Sequence, residues 1–152
     1  MVDSYIIFED EQLKLRIPRQ LRSKRGGYVY HFGGTLKRGR KDARVILGIE
    51  LDPPPVSRKA LRQVILRALP HQVWLGVEMR TIRKGRCSFG NGGIEVLGAS
   101  TVPEPTGTII LYRWNILYRL GKHYLFVDLN GGGDLDAFEK MGISIIESIV
   151  VK

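Results

Sequence analysis

The stretch ARVILGIELDPPPVSRKALRQVILRALPHQVWLGVEMR, residues 43–80, decides how the rest of the chain is read. It opens on a near-continuous apolar run, Ala43 to Leu51, of the kind carried by a strand buried on both faces. Pro53, Pro54 and Pro55 stop that run and set up a helix, with Ser57 in the N-cap position. From Arg58 to Leu69, the apolar Leu61, Val64, Ile65, Ala68 and Leu69 fall on one arc. Arg58, Lys59, Arg62, Gln63 and Arg67 fall on the opposite one. Pro70 ends the helix, and residues 72–80 read as a second buried strand. Val45–Leu51 and Val73–Met79 share one pattern of residues. Strand, amphipathic helix and strand at this spacing predict a βαβ crossover, with strands 43–51 and 72–80 parallel around helix 58–69.

Upstream, residues 4–8 and 12–17 read as strands around an acidic turn at Glu9, Asp10 and Glu11. In the second, Leu13, Leu15 and Ile17 alternate with Lys14 and Arg16, which predicts one core face and one cationic face. A basic connector and Gly26-Gly27 lead to a third strand, 28–32. Downstream, strands at 93–98, 107–114, 116–120 and 123–129 are hinged at Asn91-Gly92-Gly93, at Pro103–Gly107 and at Gly121-Lys122, which makes that half antiparallel. Asp134 caps a short helix to about Met141, and ISIIESIVV, 143–151, is the last apolar strand. The expected fold is strand-dominated α+β. It has a mixed sheet containing the crossover, an antiparallel C-terminal half and a short helix near 134–141, all in one domain of 152 residues.

The charge is uneven. The chain carries 24 Lys+Arg against 15 Asp+Glu, and nearly all the excess lies in the first 86 residues. The apolar runs are too short for a membrane span, so no membrane partner is expected. Cys87 is the only cysteine, which excludes an internal disulfide and a thiolate zinc site and favours an intracellular, reducing compartment. His31, His71 and His123 have no metal-ligand spacing.

A segregated positive charge points to a phosphate backbone, so DNA or RNA is the expected partner. The cations expected to grip it are Lys14, Arg16, Arg19, Arg22, Lys24, Arg25, Lys37, Arg38, Arg40 and Lys41 in the first basic stretch. Arg58, Arg62, Arg83, Lys84 and Arg86 extend the face. Tyr28, Tyr30 and Phe32 share one side of a strand, and Tyr28, Tyr30 and the loop residue Phe89 are candidates to stack on bases. An enzymatic alternative rests on Glu50, Asp52 and Glu78, which end apolar strands. Converging carboxylates hold Mg²⁺ in metal-dependent nucleases. VWLGVEMRTIRKG, residues 73–85, resembles the apolar-strand, Glu-x-Lys element of the restriction-endonuclease-like family, with Arg80 where that family has Lys. The resemblance implies a Mg²⁺-dependent nuclease in which Glu78, with Glu50 or Asp52, would be catalytic. A third expectation is a structural subunit of a nucleoprotein assembly. The apolar last strand and the parallel pair also leave sheet edges open to a homodimer.

Overall fold

The computed structural model describes residues 4–24, 28–38, 41–67, 72–74, 77–105 and 107–152. At 37, 38, 41, 42, 72–74, 77, 78 and 104 it describes the backbone alone. The fold is α+β, with two helices among the described residues and strands in two sheets. The small sheet has the order β1-β2-β11 and the large one β3-β4-β5-β10-β9-β8-β7-β6. The strands are β1 Tyr5–Glu9, β2 Leu13–Pro18, β3 Arg22–Ser23, β4 Tyr30–Arg38, β5 Lys41–Leu51, β6 Gln72–Trp74, β7 Val77–Arg86, β8 Asn91–Glu104, β9 Gly107–Leu120, β10 His123–Gly132 and β11 Val150–Val151. The helices are α1 Pro55–Leu66 and α2 Leu135–Glu147.

The β2 alternation holds as read: Leu13, Leu15 and Ile17 are buried, and Lys14 and Arg16 are exposed. The acidic turn before it is built by Asp10, whose Oδ1 accepts from the Gln12 and Leu13 N–H groups at 2.9 and 2.8 Å. The C-terminal half is an antiparallel meander, as expected. Its strands are longer than the sequence suggested: β9 runs unbroken through Asn115, and β8 continues to Glu104.

The crossover is not formed. β5 pairs antiparallel with β4 and β10, and residues 72–80 divide into β6 and β7, which fold back on each other with Gln72 opposite Met79 and Trp74 opposite Val77. β10, β9 and β8 stand between β5 and β7. The physical reason lies in where α1 buries its apolar side. Ile65, with half-buried Leu61, joins Ile94, Val96, Leu117 and Phe126, and the helix lies across β7, β8 and β9 rather than beside β5. The helix also departs from its predicted arc. Val64 is 57% exposed, and Ala68 and Leu69 lie outside the described residues. Pro54, not Ser57, is the N-cap, and no side chain caps the end; Pro55 occupies the first turn, where its missing N–H costs nothing.

The last apolar strand is a second correction. ISIIES belongs to α2, and only Val150–Val151 pairs, with Lys14 and Leu13 of β2. Asp134 does cap the helix, accepting from the Ala137 N–H at 3.0 Å. Phe138, Met141, Gly142, Ile145 and Ile146 then recur at helical spacing, all buried. That stripe packs on one face of the large sheet, in a core with Leu47, Ile49, Trp114, Ile116, Leu125, Val127 and the β2 leucines. The last strand is thus cut to two residues and is paired to β2, and no two strands among the described residues pair in parallel, so the two features behind the homodimer expectation are not formed as read.

Buried Tyr30 and Tyr118, with half-buried Tyr28, give the fold a pH limit. Burial, then the Asp128 charge, pushes the Tyr28 hydroxyl well up from its ordinary value of 10.0. Burial does the same at Tyr118, whose hydroxyl has no hydrogen-bond partner among the described residues. Tyr30 is pushed up to about 12 by burial and by Asp10. All three are neutral in the folded chain where the unfolded chain would ionise them. Their contribution to stability is therefore complete below pH 10, the unfolded value, and is lost as pH rises through the folded values. Alkaline titration followed by tyrosinate absorbance and circular dichroism should show part of the tyrosine signal appearing late, together with unfolding. One transition near pH 10 with the fold intact would contradict this assignment.

Candidate functional site: an arginine cleft at one end of the large sheet

The end of the large sheet where β5, β7 and β9 finish and β8 and β10 begin collects side chains from distant parts of the sequence. It is organised around the β9–β10 hairpin, whose register sets Tyr124 opposite Arg119. Asp52 leaves β5 with φ 49 and clasps this hairpin. Its N–H donates to the Tyr124 carbonyl at 2.7 Å, its Oδ1 accepts from the Tyr124 N–H at 2.9 Å, and its Oδ2 lies 2.6 Å from His123 Nδ1. Partial burial opposes the charge on Asp52, but these hydrogen bonds and the Arg58 guanidinium hold its carboxyl below the ordinary range.

Arg58, in the first turns of α1, donates from Nε to the Pro53 carbonyl at 2.6 Å and places its guanidinium 4.4 Å from the centre of the Tyr124 ring. Arg119 approaches the same ring at 5.5 Å. Beside them opens a cleft of about 230 Å³, with buried Ile94 and Leu117 for a floor and Arg62, Arg119, Asn91 and Tyr124 around it. Gly90, in the turn that closes this end, has φ +57, and a Cβ there would stand 2.1 Å from the Arg119 carbonyl oxygen, so only glycine fits. On the other side of the hairpin lies an open groove of about 510 Å³, lined by Leu120, Ile149, Val150 and Val151, with Lys122 and Lys152 at its border.

Only part of the expected cationic face assembles here. Arg62 lines the cleft, Arg58 stands beside it over the Tyr124 ring, and Arg86 ends β7, opposite Ile94. Lys37, Arg38 and Lys41 sit at the tip of the β4–β5 hairpin, the far end of β5, about 33 Å away for ten residues of strand. Their side chains, like the whole of Arg25 and Arg40, lie outside the described residues. Lys14 and Arg16 face outward from the small sheet, and Arg16 stacks on Tyr5 at 5.1 Å. Arg19, Arg22 and Lys24 are exposed along the connector, where Arg22 donates to the Leu21 carbonyl at 3.1 Å. Arg83 binds Glu95 and Glu139 at 3.0 and 2.7 Å, so its charge is spent internally, and Lys84 is exposed on the same strand.

The stacking rings are also placed otherwise than expected. Tyr30 and Phe32 are core residues. Tyr28 precedes β4 and lies on the opposite face of the sheet, over Gly48 and near Phe126, with its hydroxyl donating to Asp128 Oδ2 at 2.7 Å. Phe89 is half-buried against Trp114 and Tyr118.

The three carboxylates do not converge. Glu50 accepts from the Val29 N–H at 3.0 Å, and Asp52 clasps the hairpin. The Glu78 side chain lies outside the described residues, but its strand is placed. Four strand spacings, about 19 Å, separate β5 from β7. The row across the sheet from Glu50 passes Phe126, Leu117 and Ile94 to Arg86, at the opposite end of β7 from Glu78. No metal bridges that distance.

The residues missed from sequence are Arg119 and Tyr124. They lie in the acidic half of the chain, outside any basic run. The signal for them was the Gly121-Lys122 turn, because a tight hairpin there sets residue 119 beside residue 124.

No family model and no curated protein matches this chain. Its fold is matched along nearly its whole length by the Ran-binding protein Mog1p of Saccharomyces cerevisiae, with a TM-score of 0.55, 8% identity and 97% and 95% of the two chains covered. The chain has the fold of Mog1p. A mutant of Mog1 superposes with a TM-score of 0.56 at 8% identity, covering 99% and 96%. A looser likeness, TM-score 0.47 at 10% identity over 98% and 91%, is to LpqN, involved in cell envelope biogenesis of Mycobacterium tuberculosis. Neither Mog1 structure is described as binding nucleic acid or as a nuclease. With the cations dispersed, the rings buried and the carboxylates apart, the expected DNA- or RNA-binding protein, the Mg²⁺-dependent nuclease and the nucleoprotein subunit all give way. No helix among the described residues is long and apolar enough to cross a membrane.

Proposed function

We propose that this chain is a single-domain, intracellular protein-binding module that docks an acidic segment of another protein on the hairpin end of its large sheet. The observation that carries the reading is the pairing of the arginine cleft with the apolar groove on the two sides of one hairpin. Arginine and tyrosine beside an apolar pocket are the residues that dominate protein interfaces. A formal charge of +9 favours an acidic partner and speeds its approach. The shared fold adds support, since Mog1p is a Ran-binding protein.

A peptide-display library selected on the immobilised full chain tests this. Enriched peptides should combine acidic and aliphatic residues. The double variant Arg62→Glu, Arg119→Glu should bind them at least about a hundredfold more weakly, as losing two charge-assisted contacts of about 1.5 kcal/mol each implies. Selection of peptides without acidic residues, or binding indifferent to the charge reversal, would refute the proposal.

A further inference from the structure

Within the docking reading, on which this step rests, the cleft is charged beyond what a carboxylate would satisfy. Arg62 and Arg119 both line it. Among the described residues neither has a carboxylate within ion-pair distance. Arg58, beside the cleft, shares the Tyr124 ring with Arg119 and adds a third guanidinium to the neighbourhood. Asp52, the acid whose charge reaches Arg58, is already engaged by His123 and by the Tyr124 N–H. Two guanidiniums at one ring and a third lining the same cleft repel each other, and one carboxylate neutralises only one of them.

A phosphomonoester brings about two negative charges near neutral pH and three acceptor oxygens, and guanidinium forks bind such oxygens in pairs. Asn91 and Tyr124, residues with neutral polar side chains, also line the cleft. The backbone at Gly92 is open as well: its φ is +66, and nothing stands within 4 Å of where a Cβ would be. We propose that the cleft between α1 and the β8–β9 strand ends holds a phosphomonoester group, borne on a phosphorylated side chain of the docked protein.

The test is an amide NMR titration of the isotope-labelled full chain at matched ionic strength. Its ligands are a phosphoserine peptide with acidic and aliphatic flanks, the same peptide with glutamate in place of phosphoserine, and inorganic phosphate. Saturable shifts centred on Asn91, Gly92, Arg119 and Tyr124 are expected. The phosphopeptide should bind at least about tenfold more tightly than the glutamate peptide. The variant Arg62→Gln, Arg119→Gln, with a folded spectrum, should remove that advantage. Shifts spread over the whole chain, or an advantage that survives the double substitution, would overturn the inference. Inorganic phosphate binding as tightly as the phosphopeptide would also overturn it, by assigning the cleft to the free anion. Equal binding of the two peptides through the arginines would sink the phosphate site while leaving the docking of acidic segments intact.

Discussion

Replacing Asp128 by alanine should destabilise the protein by about 3 kcal/mol, a large share of the 5–15 kcal/mol that holds a domain together. Asp128 is 4% exposed in the middle of β10, on the face of the sheet away from α2. Its two oxygens accept from Arg113 at 3.2 and 3.1 Å, from the Tyr28 hydroxyl at 2.7 Å, and from the Asn130 and Asn115 amides at 3.1 and 3.4 Å. The alanine variant removes at once the acceptor of the Tyr28 hydroxyl, of the Asn115 and Asn130 amides and of the Arg113 guanidinium, which is why the cost exceeds that of one hydrogen bond. Arg113 is one-third exposed and turns partly to solvent, so the effect belongs at the lower end of the range for broken buried pairs. The variant also frees the Tyr28 ring, which covers Gly48. Urea denaturation should show a lower midpoint with an unchanged slope, and Asp128→Asn, which keeps the acceptor but loses the charge, should fall between the two. A midpoint within error of the parent's would mean that this network contributes nothing.

The sequence was legible where a local pattern met a local partner. β2 alternates because one side of it packs on α2 and the large sheet, and the antiparallel half was readable from its glycine and proline hinges. Partnership across the sheet was not. Residues 43–51 and 72–80 look alike because both are apolar, but apolarity does not say which strand lies alongside. The same limit hid the site. Arg58 and Arg62 could be read from a helix arc, whereas Arg119 and Tyr124 meet only through hairpin register. Charge that is contiguous along the chain was separated in space, because β5 carries the basic residues near 41 to one end of the sheet and those after 52 to the other.

The misread C-terminal segment leads to a second large expected effect. ISIIESIVV is rich in β-branched residues, and a strand is the reading that propensity favours. Tertiary packing prevails, because Phe138 and Ile145 on one helix face meet the core side of the sheet. Phe138 is fully buried, with its ring centre 5.3 Å from that of Tyr112 and 6.4 Å from that of Trp114. Phe138→Ala should cost about 3–5 kcal/mol, the transfer energy of the ring plus the cavity it leaves. The fold makes room for this ring at Gly131, where a Cβ would stand 3.1 Å from Phe138 Cδ2 and Cε2. Gly131→Ala should therefore be unfavourable in the parent, because the ring must give way, yet neutral or stabilising once Phe138 is alanine. The two substitutions should then be non-additive by at least about 0.5 kcal/mol in a double-mutant cycle read by thermal or urea unfolding. Additive costs would mean that α2 holds the sheet through Met141, Ile145 and Ile146 and that the ring seated over Gly131 is replaceable.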